Sequence, residues 1–479
     1  MDTDNKPTSL LAGAVAILFG LCATSTGVAQ DARALQEMQV KLLQNAPLAR
    51  SPFPSFDPRF PPPAGFPQPF ELSQNYPSTY ADDTFPWMEI DFAAHPHEYL
   101  RAVLDYCLEG NLGIDFRVAE NPVRKWFHAP WMHDDGEANG AGREYHHGLT
   151  RERRSRELEL HQLQKTRAQN WAVGFYNDRG GYTLGKVWLT PSGYPDPSVA
   201  TFPDNTVTFK LLFTDASVAE VPFLAGSKEW KANIYPDTSY QPPRVDKTMR
   251  LLQIDVAVKD PRVAATSGWI FGTFVYDGAA PGPTVWDRMI PVGLSWGDDP
   301  GERRLMNRDG VFVNTALSES RINSLLVEQA GWEYGGRAYV RHHGLGGRLN
   351  GPVDNPVSSC ISCHGRAGTF ADALPLNVNS GKPMEFALFS VQRPSQFPAA
   401  SFDKFFSLVR GLSHIQVVDG EKFITTDYSL QVSAGIRNFY QSLRTGPEVD
   451  RLHSLSLTTE APERLRSARP LPKVTREID

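Results

Sequence analysis

The runs LLQIDVAVK at residues 251–259 and GWIFGTFVYDG at residues 268–278 decide the fold class that the sequence predicts. Both are rich in β-branched and aromatic residues, which pack well on the pleated surface of a strand. Earlier runs of the same kind are WAVGFYN at 171–177, LGKVWLT at 184–190 and TVTFKLLFT at 206–214. Strands that follow strands without intervening helices favour an antiparallel sandwich or barrel. We therefore predict a β-rich, sandwich-like domain at residues 170–300.

Helical patterns flank this β-rich region. The segment 95–111 carries an apolar stripe at helical spacing, formed by Leu100, Val103, Leu104, Cys107 and Leu108. Cys107 is therefore expected to be a buried core thiol. Further helices are predicted at 31–49, 150–169, 318–332, 401–412 and 426–443, with Thr150 capping the second and Thr426 or Asp427 capping the last.

One short motif carries most of the functional information. Cys360-Ile361-Ser362-Cys363-His364 has the order that is typical of a c-type haem attachment site. Each thiol adds across one haem vinyl group to form a thioether, and the adjacent His364 becomes the proximal ligand of the iron. The sequence therefore predicts one covalently bound haem c.

Two other kinds of site use similar residues. A structural zinc site needs a fourth ligand, and usually a second pair of cysteine or histidine residues near by. A thioredoxin-like dithiol lies between a buried strand and a helix, whereas the segment before Cys360 is the Pro-, Asn- and Ser-rich loop 351–359. Both alternatives stay open at this point.

With this motif the chain resembles the c-type cytochromes that carry one haem. The resemblance covers residues 316–444, where only CISCH is specific, and the last predicted helix, with Gly435 beside aromatic residues, is similar to the closing helix of class I cytochromes c. It implies a mainly α-helical haem domain that transfers electrons to or from a redox partner protein. In class I proteins a helix leads almost directly into CxxCH, whereas this chain has a loop there.

The sixth ligand of the iron is sought among methionine and histidine residues. Met384 is the only methionine after the motif, in a Pro- and Gly-rich segment, and His414 lies farther along the chain. We take Met384 as the first candidate and His414 as the second. His342 and His343, just before the motif, are close enough in sequence to flank the haem, but surface or hydrogen-bonded histidines are the simpler interpretation. An open, five-coordinate iron is a further alternative.

The N-terminus is an apolar segment, residues 9–29, that ends in small residues and suits a secretory signal peptide cleaved after Ala29. We therefore predict export to the periplasm, the compartment in which the resemblance places haem attachment in bacteria. Asp2 and Asp4 make the preceding segment poor in positive charge, so an uncleaved segment that tethers the protein to a membrane is the alternative.

A second candidate site is the His- and acid-rich loop at 126–149. It contains His128, His133, Asp134, Asp135, His146 and His147, residue types that bind transition metals or transfer protons. Their spacing matches no known motif, so a polar loop is the simpler interpretation. If the loop is a site, the protein is a periplasmic oxidoreductase whose N-terminal region is catalytic and whose haem passes on the electrons.

Length and charge limit the remaining possibilities. A chain of 479 residues holds two or three domains, and its net charge of -6 provides no basic field for nucleic acid. We predict an α+β multidomain protein in which a β-rich region precedes a mainly α-helical, cytochrome c-like domain. The predicted segments are a signal peptide at 1–29, a helix with a Pro- and Phe-rich arm at 30–90, a helical segment at 91–169, the β-rich domain at 170–300, the haem domain at 316–444 and a flexible tail at 445–479.

Overall fold

The computed structural model describes residues 64–65, 70, 73–132, 149–190, 195–236, 243–302, 314–323, 326, 331–334, 337–340, 342–354, 358–365, 367–370, 415–418 and 421–445. The predicted signal peptide, the predicted helices at 31–49 and 401–412, most of the Pro- and Phe-rich arm and residues 446–479 of the predicted tail lie outside this part of the chain. Within the described part, no helix is long and apolar enough to cross a bilayer.

The described residues form thirteen strands and four α-helices. The strands are β1 (Thr150–Arg151), β2 (Asn170–Tyr176), β3 (Val207–Thr214), β4 (Glu229–Ile234), β5 (Val245–Lys259), β6 (Trp269–Tyr276), β7 (Met289–Ser295), β8 (Ser320–Ile322), β9 (Gly331–Tyr334), β10 (Arg337–Val340), β11 (Gly368–Phe370), β12 (Ile415–Val418) and β13 (Glu421–Thr425). The helices are α1 (Pro96–Leu108), α2 (Asp178–Trp188), α3 (Cys360–His364) and α4 (Leu430–Thr445). Single turns of 3₁₀-helix lie at Pro86–Glu89, Leu112–Ile114, Val118–Glu120, Pro197–Val199, Pro222–Leu224, Pro261–Val263 and Leu345–Gly347.

One eight-stranded sheet is the framework of the molecule. Its order is β1-β2-β3-β5-β6-β7-β8, β4 pairs with β5, and every pairing is antiparallel. The predicted strands at 171–177, 206–214, 251–259 and 268–278 are confirmed, because their β-branched and aromatic residues pair side by side on this sheet. Helices cover the sheet, and among the described residues no second large sheet faces it to form the predicted sandwich.

The sheet has two faces with different coverings. On one face, which we call the α1 face, Phe209, Ile254 and Val256 share a buried core with Leu100 and Val103 of α1. Gly272 permits this close approach, because a Cβ atom there would lie 2.2 Å from Leu100 Cδ2. The apolar stripe predicted for residues 95–111 is thus confirmed, and Cys107 lies on it with no exposed surface.

The opposite face, which we call the motif face, carries the sequence motif. Register places Gly174, Lys210 and Asp255 in one row across β2, β3 and β5, and Tyr176, Thr208, Ala257 and Phe271 in the next. Tyr176, Ala257 and Phe271 share a second core with Ile361 of α3 and with Val432, Ile436 and Phe439 of α4. The motif face thus holds α3 and α4 against the sheet.

The predicted strand at 184–190 is wrong, since residues 184–188 form the last part of the helix α2. Asn177 caps this helix by accepting a hydrogen bond from Gly180 N at 3.2 Å. Gly180 and Gly181 are helical and lie against Tyr176 and Phe127, where a Cβ atom has no room. The cap and the close packing outweigh the strand preference of the β-branched and aromatic side chains that follow.

Two predicted helices are also wrong where the structure describes them. In the segment 150–169, Thr150 and Arg151 pair with β2 instead of starting a helix, and an isolated bridge joins Ser155 to Ala168. In the segment 318–332, Ser320–Ile322 is the edge strand β8. Pairing with a neighbouring strand gives hydrogen-bond partners to the backbone N–H and C=O groups of these residues. Local helix preference takes no account of such pairing between distant segments.

The predicted mainly α-helical, cytochrome c-like domain is contradicted. Helix α3 has five residues, and the segment between α3 and α4 contributes β11, β12 and β13 to a three-stranded antiparallel sheet in the order β11-β13-β12. The short runs GTF, IQVV and EKFIT are rich in β-branched and aromatic residues and pair with one another. The predicted closing helix at 426–443 is confirmed as α4. Its predicted cap, Thr426 or Asp427, is wrong, because the amide of Val432 in the first turn donates to Ser429 Oγ at 3.1 Å.

Candidate functional site

Helix α3 is formed by the motif itself. Ser359 Oγ accepts a hydrogen bond from Ser362 N at 3.1 Å, and Ser362 Oγ accepts one from Ser359 N at 2.9 Å. This reciprocal capping box satisfies two donors that otherwise have no partner at a helix start. Cys360 and Cys363 are three positions apart on this helix, a spacing that places both side chains on one side of it.

Two buried side chains, Asp298 and Arg348, support the start of α3. Ser359 Oγ donates to Asp298 Oδ1 at 2.9 Å, and Arg348 Nε lies 3.4 Å from the same oxygen. Arg348 also donates to the backbone carbonyls of Asp298, Asp299 and Glu302. Burial raises the pKa of Asp298 to about 7, against the opposing effect of Arg348. The cap of α3 is therefore attached to the main sheet at the end of β7.

His364 is oriented by the backbone before α4. Its Nδ1 lies 2.9 Å from the carbonyl oxygen of Tyr428, and its ring packs against Phe271 with centroids 4.6 Å apart. A carbonyl accepts only from N–H, so Nδ1 carries the proton and Nε2 is the basic nitrogen of the ring. Burial lowers the pKa of His364 to about 4, which keeps the imidazole neutral. Metal-binding histidines commonly have this arrangement.

The motif thiols are not joined in a disulfide. Burial raises the pKa of Cys360 well above its ordinary value and that of Cys363 to about 11. A dithiol that acts by exchange depends on a thiolate, and therefore on a lowered pKa. The electrostatic environment thus disfavours the redox-dithiol alternative. Within the described part of the chain, no group of three or more His, Cys, Asp or Glu side chains is placed to hold a metal ion.

A cavity of about 400 Å³ lies between α3, the motif face and the beginning of α4. Cys360, Cys363 and His364 all line it, together with Gly174 and Trp269 of the sheet. Its volume is within the range of small-molecule and cofactor sites, about 300–1,000 Å³. The two thiols and the imidazole therefore open into one shared space, as a group attached through all three requires.

The same cavity has a charged wall. Lys210 Nζ lies 2.7 Å from Glu152 Oε1, and Asp255, the cross-strand neighbour of Lys210, accepts from Gln253 Nε2 at 2.7 Å. Asp354 Oδ2 accepts from Gly351 N at 2.9 Å. Lys210, Glu152, Asp255 and Asp354 all line the cavity. The charged wall, defined by these four residues, thus contains three carboxyl groups and one ammonium group.

The electrostatics of the charged wall are unusual. Loss of water, and then the neighbouring Asp354, raise the pKa of Asp255 to about 7. Loss of water also raises the pKa of Asp354, against the effect of Lys210. The pKa of Lys210 is raised as well, because Glu152 and Asp255 outweigh the desolvation of its ammonium group. Shifted groups in a cleft are frequent at functional sites.

The structure brings together only part of the predicted site. Met384 and His414 lie outside the described residues, as do His133, Asp134, Asp135, His146 and His147. His128, His342 and His343 are buried, and none of the three is among the described residues that line the cavity.

Two of these buried histidines have identified backbone neighbours. His128 Nδ1 lies 3.0 Å from Gly174 O, and His343 Nδ1 lies 3.2 Å from Gly347 O. Burial lowers the pKa of His128 to about 4 and also lowers that of His343. Both are therefore neutral side chains that support the fold beside the site.

The charged wall was missed by the sequence analysis. Lys210 interrupts the run TVTFKLLFT, and Asp255 interrupts LLQIDVAVK. A charged residue inside an otherwise apolar strand is a signal that one face of the strand meets a polar space. Asp354 lies in the loop before the motif and carries no comparable signal.

Comparison of the chain with protein-family models, with curated proteins and with solved structures finds no match.

Proposed function

We propose that this protein is an exported monohaem c-type cytochrome that transfers electrons in the periplasm. Cys360 and Cys363 form the thioethers to haem c, and His364 is the proximal ligand of its iron. The observation that carries the proposal is that these three side chains line one cavity while Tyr428 O accepts from His364 Nδ1.

The surroundings of the motif fit such a group. Haem supplies an iron that alternates between the ferrous and ferric states, so that one electron is accepted and released. The carbonyl of Tyr428 sets the tautomer of His364 and leaves Nε2 as its ligating atom. Phe271 holds the imidazole ring by packing against it, and the capping residue Ser359 fixes the direction of α3. These residues orient the ligand and the thiols before the group is attached.

Covalent attachment is tested by acid-organic extraction of protein matured in a periplasmic haem-attachment system. We expect haem to remain with the denatured wild-type chain, because thioethers survive denaturation. The double variant Cys360→Ala/Cys363→Ala is expected to lose all covalent haem. The matched control is Cys107→Ala, which removes a thiol from the α1 face and is expected to retain the haem. Haem that extracts from the wild-type chain contradicts the proposal.

The distal side of the iron is proposed from the sequence only. Met384 is the first candidate for the sixth ligand and His414 the second. If Met384 is the ligand, Met384→Ala converts a low-spin ferric spectrum to high spin and lowers the reduction potential. An unchanged spectrum directs the same test to His414→Ala.

A second candidate function is a periplasmic haem oxidoreductase. It is favoured by the charged wall, because ionisable groups beside a haem are more useful to a reaction that moves protons than to a simple carrier. The sequence pattern places the chemistry of such an enzyme at His128, His133, His146 and His147, of which the structure describes only His128. Metal analysis separates the two functions: iron alone supports the carrier, and a second metal at stoichiometric amount supports the enzyme.

A further inference from the structure

We propose that the charged wall binds one proton for each electron that arrives at the haem, with Asp255 and Asp354 as the shared proton acceptor. This inference rests on the proposed function, since it takes haem c to be attached at Cys360 and Cys363. It adds a proton-binding site, which makes the protein a proton-coupled electron carrier.

The placement of the two carboxyl groups is decided by the tertiary structure. Asp255 lies on β5 between Lys210 of β3 and Thr273 of β6, with its side chain on the motif face. Asp354 lies in the loop before α3 and lines the same cavity as Asp255 and Cys360. The proton acceptor and the haem attachment site therefore line one cavity of about 400 Å³.

The balance of charge in this volume favours a bound proton. Glu152 is paired with Lys210 at 2.7 Å, so one carboxylate and the single ammonium group of the charged wall neutralise each other. Arg153, the other cation at the cavity, is held by Glu159 at 2.7 Å. Among the described residues, Asp255 and Asp354 are in no ion pair of their own, although Lys210 acts on both, and like charges in a poorly hydrated site do not both ionise readily.

The described neighbours of this carboxyl pair come from several elements. Lys210 faces it from β3, and Gln253 and Thr273 face it from β5 and β6. Glu152 and Arg153 act from the segment after β1, and Cys360 lies toward α3. The side chains of Lys210 and Glu152 are 30% and 29% exposed, so protons from solvent have a route to the pair.

Coupling follows from electrostatics. Reduction of ferric haem adds one negative charge to the cavity, and this charge favours the protonated form of a nearby carboxyl group. A one-electron donor protein supplies the electron and solvent supplies the proton, so the net charge of the site is unchanged. There is then a pH range in which the carboxyl pair has released its proton in the ferric protein but still holds it in the ferrous protein. Within this range the reduction potential is expected to fall as pH rises.

The test is the midpoint potential of the holoprotein, measured from about pH 5 to pH 9. We expect the midpoint potential to fall by about 59 mV per pH unit near neutrality. This value corresponds to a tenfold change in a one-electron equilibrium constant for a tenfold change in proton concentration. Asp255→Asn keeps the shape of the side chain and its acceptor for Gln253 but removes the shared titration. This variant, and Asp255→Asn/Asp354→Asn, are expected to lose most of the slope.

The matched control is Asp246→Asn, which removes the same charge from an exposed position on the same strand, β5. It is expected to keep the wild-type slope. A wild-type potential that does not change with pH overturns the inference. So does a slope that persists in the double variant, because a haem carboxylate or another group then takes the proton.

Failure of this inference is distinguishable from failure of the proposed function. If haem is covalently attached but its reduction potential does not depend on pH, the proton-binding site is contradicted and the proposed cytochrome function stands. If the chain carries no covalent haem, the proposed cytochrome function itself is contradicted. In that case the infrared signal of a protonated carboxyl group, lost in Asp255→Asn, still reports whether Asp255 and Asp354 share a proton.

Discussion

Asp298 shows how a single buried residue can connect the motif to the stability of the fold. Its side chain is 1% exposed, accepts from the capping hydroxyl of Ser359 and lies beside Arg348. Burial raises its pKa to about 7, whereas an aspartate in an unfolded chain titrates near pH 3.9. Between these two values the folded chain holds a proton that the unfolded chain has released.

This difference predicts the pH dependence of stability. The contribution of Asp298 is greatest below about pH 4 and falls by up to about 1.4 kcal/mol per pH unit as pH rises to about 7. Asp298→Asn keeps the oxygen that accepts from Ser359 but does not titrate. We expect the free energy of unfolding of the wild type, minus that of the variant, to decrease from about pH 4 to pH 7 in urea unfolding experiments. A constant difference contradicts the prediction.

At the scale of elements, α4 is held against the motif face by close packing and by Asp427. Asp427 Oδ1 lies 2.6 Å from Lys259 Nζ and accepts from Trp269 Nε1 at 3.1 Å. It therefore anchors the chain just before α4 to β5 and β6. Farther along the helix, Gly435 lies against Pro130, where a Cβ atom would be 2.5 Å from the backbone carbonyl oxygen.

Gly435 therefore offers a test of the docking of α4. Because the neighbouring atom belongs to the backbone, Gly435→Ala is expected to destabilise the protein by about 1–3 kcal/mol, in spite of the better helix preference of alanine. The matched control is Gly113→Ala, since a Cβ atom at Gly113 meets nothing within 4 Å. Its effect is expected to stay within about 0.5 kcal/mol. Urea unfolding of both variants gives the comparison, and equal effects contradict the account of the interface.

At the scale of the whole molecule, the sheet separates two environments. The α1 face has an apolar core in which α1 and the 3₁₀ turn Pro86–Glu89 contribute Val103, Leu104 and Trp87, all without exposed surface. The motif face has the cavity, the charged wall and the capped α3. The two faces of the same strands therefore differ: one carries an apolar core, and the other carries a second core beside a cavity that is lined by charged groups.

This arrangement predicts a gradient of hydrogen exchange. The strands β3, β5 and β6 are bonded on both sides, whereas β1 and β8 are short strands at the two ends of the sheet order. We expect amides of the three central strands to exchange only through global unfolding and those of the two edge strands through smaller openings. Mass spectrometry of exchanged peptides measures this. Equal protection of β1 and β3 would show that the sheet does not open from its edges.

Features that depend on neighbouring residues in the chain could be predicted from the sequence. Strand runs such as 268–278 and the stripe of α1 follow from local side-chain pattern, and the chemistry expected of CISCH follows from the order of its residues. The local pattern predicted the wrong element at α2, because the cap at Asn177 and the packing of two glycines outweigh the strand preference there. It also predicted a mainly helical domain around α3, where short strands pair instead.

Only the tertiary structure decided which distant residues share the site. Lys210 and Asp255 are neighbours because of the register between β3 and β5, and Asp354 joins them because its loop lies across the motif face. The carbonyl that orients His364 likewise comes from Tyr428, just before α4. Such contacts depend on pairing between segments far apart in the chain, and the energy of that pairing is not encoded in any local stretch of residues.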